Sequence, residues 1–203
     1  MNNILLVHNN VEAYNVLKKL CSDGYRQDIE RGSFERTETY RLQAFPVMIQ
    51  IAEPTNFLYL PKEVTVGMIE KYYNEYLISS DIAEHETYTY GSRIAQQLYY
   101  VMNMLKRTPM TNQASISISE PTDIVMDDPP CLREITFSVF PGEKKILNVT
   151  TFWRSNDIGE AFLLNQGGIA LLLRDIAEYA GLDVGSHYYV SPGAHIYHYG
   201  GSQ

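Results

Sequence analysis

The stretch Asp127-Asp128-Pro129-Pro130-Cys131-Leu132-Arg133-Glu134-Ile135-Thr136-Phe137-Ser138-Val139-Phe140 carries one of only two cysteines, set directly behind a double proline. Ile135, Phe137 and Val139 alternate with Thr136 and Ser138, the period-2 pattern of a strand with one face on a core. The prolines fix φ near about −65°, and Pro130 pushes Pro129 toward extended geometry, so the chain reaches Cys131 with little freedom. A packing thiol needs no such mount; a thiol that must point in a fixed direction does. Pro141-Gly142 then turns the chain into a second strand, "ILNVTTFWR" (146–154), and "ASISIS" (114–119) reads as a third upstream.

Working outward, "GGIALLLRDIAEYAG" (167–181) is apolar around most of its circumference and predicts a mostly buried helix ending at Gly181. "EVTVGMIEKYYNEYLISS" (63–80) spaces Met68, Ile69, Tyr72, Tyr73, Tyr76 and Leu77 as an amphipathic helix, and a further helix covers about 92–106. "VEAYNVLKKLC" (11–21) is helical in period and is stopped by Asp23-Gly24. "TYRLQAFPVMIQIAEP" (39–54) reads as a strand broken or bulged at Pro46, and "HYYVSPGAHIYHY" (187–199) as one or two strands. Helices and strands in mixed order, without βαβ alternation, predict an α+β fold: one domain over 1–203 with a mixed or mostly antiparallel sheet packed with helices.

At 203 residues, 45% hydrophobic and 20% charged, the chain has a globular composition and length for a sizeable core. A formal charge of −8 argues against broad nucleic-acid binding, though not against a small anion held by a few local arginines. No apolar run approaches the ~18 residues of a membrane span, and "NNILLVHNN" lacks a basic leader and cleavage site, so the expectation is a cytoplasmic protein. Cys21 and Cys131 are expected as free thiols. His187, His195 and His198 crowd the C-terminal segment, but with no Cys or carboxylate at ligand spacing no metal is expected.

Three segments bear on chemistry: "DPPCLREITFSV", "FWRSNDIGEAFLLNQGG" and "SPGAHIYHY". In order and spacing they resemble the thymidylate synthase superfamily. That family places Pro-Cys before a strand, Arg-Ser-x-Asp after the next, an Asn eleven residues beyond that Arg, a long apolar helix and a His-x-Tyr strand. "YTYGSRI" (88–94) looks like its Tyr-Gly segment and "LKRTPMTNQASISI" (105–118) like its interface segment, so the resemblance covers roughly 88–199. "TNQA", "PPCLR" and "LNQGG" are most similar to the short, methanogen-type branch.

The resemblance implies a thymidylate synthase-like fold whose sheet face is used for dimerisation. It implies one-carbon transfer to carbon 5 of deoxyuridylate (dUMP) through a Cys131 adduct at carbon 6. The donor is 5,10-methylenetetrahydrofolate or a tetrahydromethanopterin-type analogue, and no metal takes part. Carbon 5 of uracil is too poor a nucleophile to act unaided, and a thiolate at carbon 6 turns the ring into an enolate. A free thiol titrates near ~8.5, so a neighbouring cation is needed, and Arg154 is the natural supplier. The resemblance further implies Arg154 and Ser155 at the nucleotide phosphate, with Arg31 (Arg36 in reserve) from "ERGSFERT". It assigns Asn165 to the pyrimidine edge, His195 and Tyr197 to the sugar hydroxyl, Asp157 to the pterin and Tyr90 to proton removal. A general-base Glu is expected on the 63–80 helix. Glu70 is preferred to Glu75, and the two point about 140° apart. Each residue also has a plain reading: a packing thiol at Cys131, a helix cap at Asn165 or Asp157, surface arginines.

Departures matter for the product. The family's two consecutive interface arginines are Asn112-Gln113 here, its His after the cysteine is Leu132, the chain runs only six residues past Tyr197, and Trp153 is the sole tryptophan. A wetter pocket favours a hydroxymethyl over a methyl product. A pyrimidine-nucleotide hydroxymethylase (dUMP, dCMP or CMP) and an idle nucleotide-binding relative are therefore the alternatives to a synthase.

Overall fold

The structure, a computed structural model, describes residues 4–29, 38–84 and 86–199. The decisive stretch is a strand, β6 (Leu132–Phe140), hairpinned onto β7 (Ile146–Trp153) in antiparallel register, with Phe137 opposite Val149. A bulge between Leu132 and Glu134 interrupts the register at Arg133. Ile135, Phe137 and Val139 are buried, as the alternation requires.

Around this hairpin lies a six-stranded mixed sheet, which also contains β1 (Ile4–Val7), β4 (Val47–Ile51), β5 (Ser115–Ser117) and β9 (Asp183–Ser191). Its order is β1-β4-β9-β7-β6-β5. The β1/β4 and β7/β9 pairs are parallel, and the remaining pairs are antiparallel. A second, four-stranded sheet contains β2 (Tyr25–Asp28), β3 (Glu38–Gln43), β8 (Asn156–Asp157) and β10 (Ala194–Tyr199), in the order β2-β3-β10-β8. Both proline-marked breaks are sheet changes. The chain leaves β3 of the small sheet and, past Phe45-Pro46, enters β4 of the large one; Pro192-Gly193 returns it from β9 to β10.

The helix α4 (Phe162–Ala180) is the spine of the core, with Ile169, Leu171, Leu172, Leu173 and Ile176 buried. It ends at Gly181 in the left-handed conformation, as expected, but begins five residues before Gly167. Asn165 is therefore inside the first turn and not a cap; Asp157 Oδ1 accepts the backbone N–H groups of Gly159 and Glu160 and so caps the turn that precedes the helix. The helix α1 (Asn10–Ser22) is capped by Asn9 and packs against α4 and both sheets. It buries Cys21, whose thiol donates to the Ala194 carbonyl. Both cysteines are free. The helix α2 (Val66–Tyr72) widens into a π-helical turn over Tyr73–Ile78, and α3 (Tyr90–Arg107) is closed by a Thr89/Ser92 capping box.

Gly168 permits the closest helix approach. A Cβ there would stand 2.5 Å from Leu77 Cδ1 and 2.9 Å from Tyr72, so α2 and its π-turn lie directly on α4. That contact carries Tyr72 into the site. Among the described residues no helix is long and apolar enough to cross a membrane.

Candidate active site

Cys131 is half-buried at the mouth of β6. Arg154 Nε donates to the Pro130 carbonyl at 3.0 Å and Nη2 to that of Pro129; Arg133 Nη1 reaches Pro130 O at 3.3 Å. The Arg154 backbone N–H bonds the Cys131 carbonyl at 2.9 Å, and the Leu132 N–H donates to the Tyr90 hydroxyl at 3.4 Å. The double proline is thus fixed by its own rings and by guanidinium groups on its carbonyls. Burial raises the Cys131 pKa; Arg154 lowers it, Asp128 raises it, Arg133 lowers it and Asp157 raises it. The shift favours the neutral thiol in the free chain, and added positive charge or lost negative charge would favour the thiolate.

An aromatic wall adjoins the thiol. Tyr72 stacks on Tyr76 at 5.5 Å, Tyr76 meets Tyr90 edge-on at 5.3 Å, and Tyr90 meets Trp153 edge-on at 5.9 Å. Tyr88 lies 6.3 Å from Tyr90. Burial is the main cause that raises the pKa of Tyr72, Tyr76 (to about 12), Tyr88 and Tyr90, and each also feels the charge of a Cys131 thiolate. These phenols are hydrogen-bond donors at physiological pH. Trp153 is fully buried, with its Nε1–H on Thr151 Oγ1 at 3.0 Å.

Asn165 is 7% exposed, and its amide is oriented from two sides. The Tyr72 hydroxyl donates to Oδ1 at 2.7 Å, and Nδ2 donates to Asn156 Oδ1 at 3.3 Å. One acceptor lone pair and one N–H remain for a ligand. Glu70 and Glu75 are exposed, Glu75 paired to Lys71 at 3.8 Å, because the buried stripe of this helix runs through Ile69, Tyr72, Tyr73, Tyr76 and Leu77. Tyr72 is the residue that reaches Asn165.

On β10, His195 and Tyr197 share a face as alternation requires, their rings 4.5 Å apart. His195 Nδ1–H donates to the Gly193 carbonyl at 2.9 Å, with Ser155 Oγ at 3.4 Å. Burial lowers its pKa to about 4, so the ring is neutral, and its buried Nε2 has no partner among the described residues. Such a nitrogen accepts a hydroxyl proton. Arg41 of β3 acts on both His195 and Tyr197 and bonds the Tyr197 phenol. Asp157, at the end of β8, is half-buried. Arg31 and Arg36 lie outside the described residues. Asn112 and Gln113 are exposed just before β5.

Cys131, Tyr90, Arg154, Ser155, Asn165, Asp157, His195 and Tyr197, spread over 108 positions of sequence, are thus carried by neighbouring ends of α3, β6, β7, β8, α4 and β10. Sequence reading missed Tyr72, Asn156, Arg41 and Arg133. The helical stripe contained Tyr72, but periodicity does not separate a packing tyrosine from one that reaches an amide.

The sequence profile of the thymidylate synthase family matches residues 61–201. A protein of Methanosarcina acetivorans, provisionally named a thymidylate synthase, is 31% identical across 62% of this chain and 59% of its own length. One of Methanothermobacter marburgensis with the same provisional name is 28% identical across 90% of this chain and 86% of its own. The chain thus spans about three fifths of the first relative and most of the second. The crystal structure of thymidylate synthase from T4 phage superposes with a TM-score of 0.69 over 92% of this chain and 76% of that one, at 18% identity.

Proposed function

The chain belongs to the thymidylate synthase family, a family of methyltransferase-type enzymes, and we propose that it transfers a one-carbon unit to carbon 5 of dUMP to give dTMP, with Cys131 as nucleophile. The observation that carries this reading is the Asn165 amide, left with one donor and one acceptor beside a thiol on a fixed mount. Uracil presents the complement: O4 accepts from Nδ2 and N3–H donates to Oδ1. Cytosine presents the reverse, and turning the amide to meet it would give up the bond from the Tyr72 hydroxyl to Oδ1 and set Asn165 Oδ1 against Asn156 Oδ1.

Arg154 and Ser155 hold the phosphate, with Arg31 as a further candidate. His195 Nε2 accepts the sugar hydroxyl, supported by Tyr197. The Cys131 sulfur bonds carbon 6, and the electron pair of the 5,6 double bond moves to carbon 5 as the enolate forms on O4, opposite the Asn165 N–H. Carbon 5 bonds the methylene carbon of the donor and loses its proton; the carbon–nitrogen bond to the pterin breaks with its electron pair on nitrogen, leaving an exocyclic methylene on the ring. Once hydride has reduced that methylene to a methyl group, the sulfur leaves with its bond pair as the 5,6 double bond returns. Tyr90 stays neutral and relays that proton toward solvent. The donor is methylenetetrahydrofolate or a tetrahydromethanopterin-type analogue, which supplies the carbon and, in a synthase, the hydride; Asp157 bonds its pterin. The enzyme acts as a homodimer through the outer face of the six-stranded sheet, where Phe152 is 42% exposed beside Tyr188 and Val190.

A hydroxymethylase is the second reading, and one observation favours it. Trp153 is locked in the core on Thr151, so the rings near the thiol are tyrosines whose hydroxyls attract water. Water adding to the exocyclic methylene would replace hydride transfer. Incubation of dUMP, dCMP and CMP with methylenetetrahydrofolate, read by mass spectrometry, decides. Methylated dUMP with dihydrofolate is the expected outcome, a hydroxymethylated base with tetrahydrofolate indicates the hydroxymethylase, and no product from any of the three indicates an idle relative.

A further inference from the structure

We propose that Asp123 and Arg133 form a positioning device for Cys131: a guanidinium pinned by a buried carboxylate holds the carbonyl immediately before the thiol. The inference rests on Cys131 being the nucleophile. Asp123 lies on a short 3-10 segment, Pro121–Val125, and is 1% exposed. Its Oδ1 accepts from Arg93 Nη2 at 2.8 Å. Its Oδ2 accepts from Arg93 Nη1 at 2.9 Å, the Glu120 N–H at 3.0 Å and Arg133 Nη1 at 3.2 Å. A buried carboxylate with this many donors is fully satisfied and rigid. Arg93 is itself fixed from α3, bonding the Ile118 carbonyl and lying over the Tyr88 ring at 5.0 Å.

Arg133 is placed by the bulge of β6, which sets two residues against one on β7 and so re-aims a side chain. From there Nη1 spans Asp123 and Pro130 O. Pro130 O is also held by Arg154, which raises the question of why two arginines share one carbonyl. Under the proposed function Arg154 must also engage a phosphate, and its Nε and Nη2 now lie on the proline carbonyls. An anion that draws Arg154 away would loosen the mount at the moment of reaction. Arg133, anchored to Asp123, keeps the Pro130 carbonyl in place. Both arginines, with Asp123, Pro129 and Phe152, line one cleft of about 630 Å³.

The test is the rate of Cys131 carboxamidomethylation by iodoacetamide as a function of pH, read on the Cys131 peptide by mass spectrometry. The charged groups acting on the thiol are Arg154 and Arg133 against Asp128 and Asp157; Tyr72, Tyr76, Tyr88 and Tyr90 remain neutral over the range used. Arg133→Gln is expected to slow alkylation at pH 8 about fivefold and move the profile to higher pH, and Arg133→Lys to recover most of the loss. Asp123→Asn is expected to slow it too. Charge alone gives the opposite sign, since removing an anion favours the thiolate, so a slower Asp123→Asn reports lost positioning. A folded Arg133→Gln with the wild-type profile, a faster Asp123→Asn, or failure of both variants to fold overturns the proposal; if only one folds, that one decides. The assay needs no nucleotide, so its failure leaves the proposed reaction standing, and a chain inert toward dUMP can still pass it.

Discussion

Two thiols in one chain show how local chemistry divides roles. Cys21 is fully buried under α1, donates to a backbone carbonyl and has its pKa raised to about 11 by burial. Cys131 is also held neutral by burial, yet arginines oppose the shift and the thiol lies at a strand mouth. Its pKa is raised, so the reactive thiolate grows as pH rises, and alkylation of free Cys131 is expected to keep climbing beyond the ordinary thiol range; a plateau already reached at pH 7 would contradict this. Tyr72 is a second test at this scale. Tyr72→Phe removes the bond to Asn165 Oδ1 and frees the amide to turn. Calorimetry is expected to show about tenfold weaker dUMP binding and a smaller preference for dUMP over dCMP. Here the limits of sequence reading are clear. The motif residues from Cys131 to Tyr197 could be picked out as candidates because their order and spacing are distinctive. That Glu70 and Glu75 are both exposed was not legible, because choosing among positions on one helix requires its rotation about its axis, which packing fixes.

Elements place these residues, and α2 with its π-turn lies so close on α4 that one methyl group tests the contact. Gly168→Ala adds a methyl group into Leu77 and Tyr72. The gain in helix propensity, about 1 kcal/mol, is outweighed by an overpacking cost of about 1–3 kcal/mol. A lower denaturant midpoint with weakened dUMP binding is the expected result, because α2 is pushed off Asn165. Alkaline stability belongs to the elements as well. Cys21 carries a proton in the folded state above its ordinary value of 9.0 and up to about 11. Its contribution is therefore complete below pH 9.0 and lost as pH rises toward 11. In urea titrations Cys21→Ala is expected to lose less stability than wild type between these values. The strand and helix periods made most elements legible, and the break expected at Pro46 is real, as is one at Pro192-Gly193 within the segment read as one strand or two. That each break is a change of sheet was not legible, since a strand's partners lie far away in sequence. The exposed β2 has no burial alternation to read.

At the scale of the whole molecule, α4 packs on β7 and β9 of the large sheet and α1 packs on both sheets, an arrangement that brings Cys131, Asn165 and His195 toward one candidate site. The α+β class followed from element order; the split into two sheets did not. The outer face of the large sheet carries Phe152 and the adjoining cleft, and the exposed Ile124 and Val125 lie on the nearby 3-10 segment. If this face joins two copies, light scattering gives twice the mass of one chain and Phe152→Asp halves it; a wild-type monomer would remove the dimer from the account.

If Cys131 attacks carbon 6 of a uracil nucleotide, tritium leaves [5-³H]dUMP, because the 5-hydrogen exchanges once carbon 5 has become an enolate. Release by the wild-type chain in the presence of methylenetetrahydrofolate, and none by Cys131→Ser, is the expected result. Release by Cys131→Ser at the wild-type rate, or no release by a folded wild-type chain that binds dUMP, would contradict it.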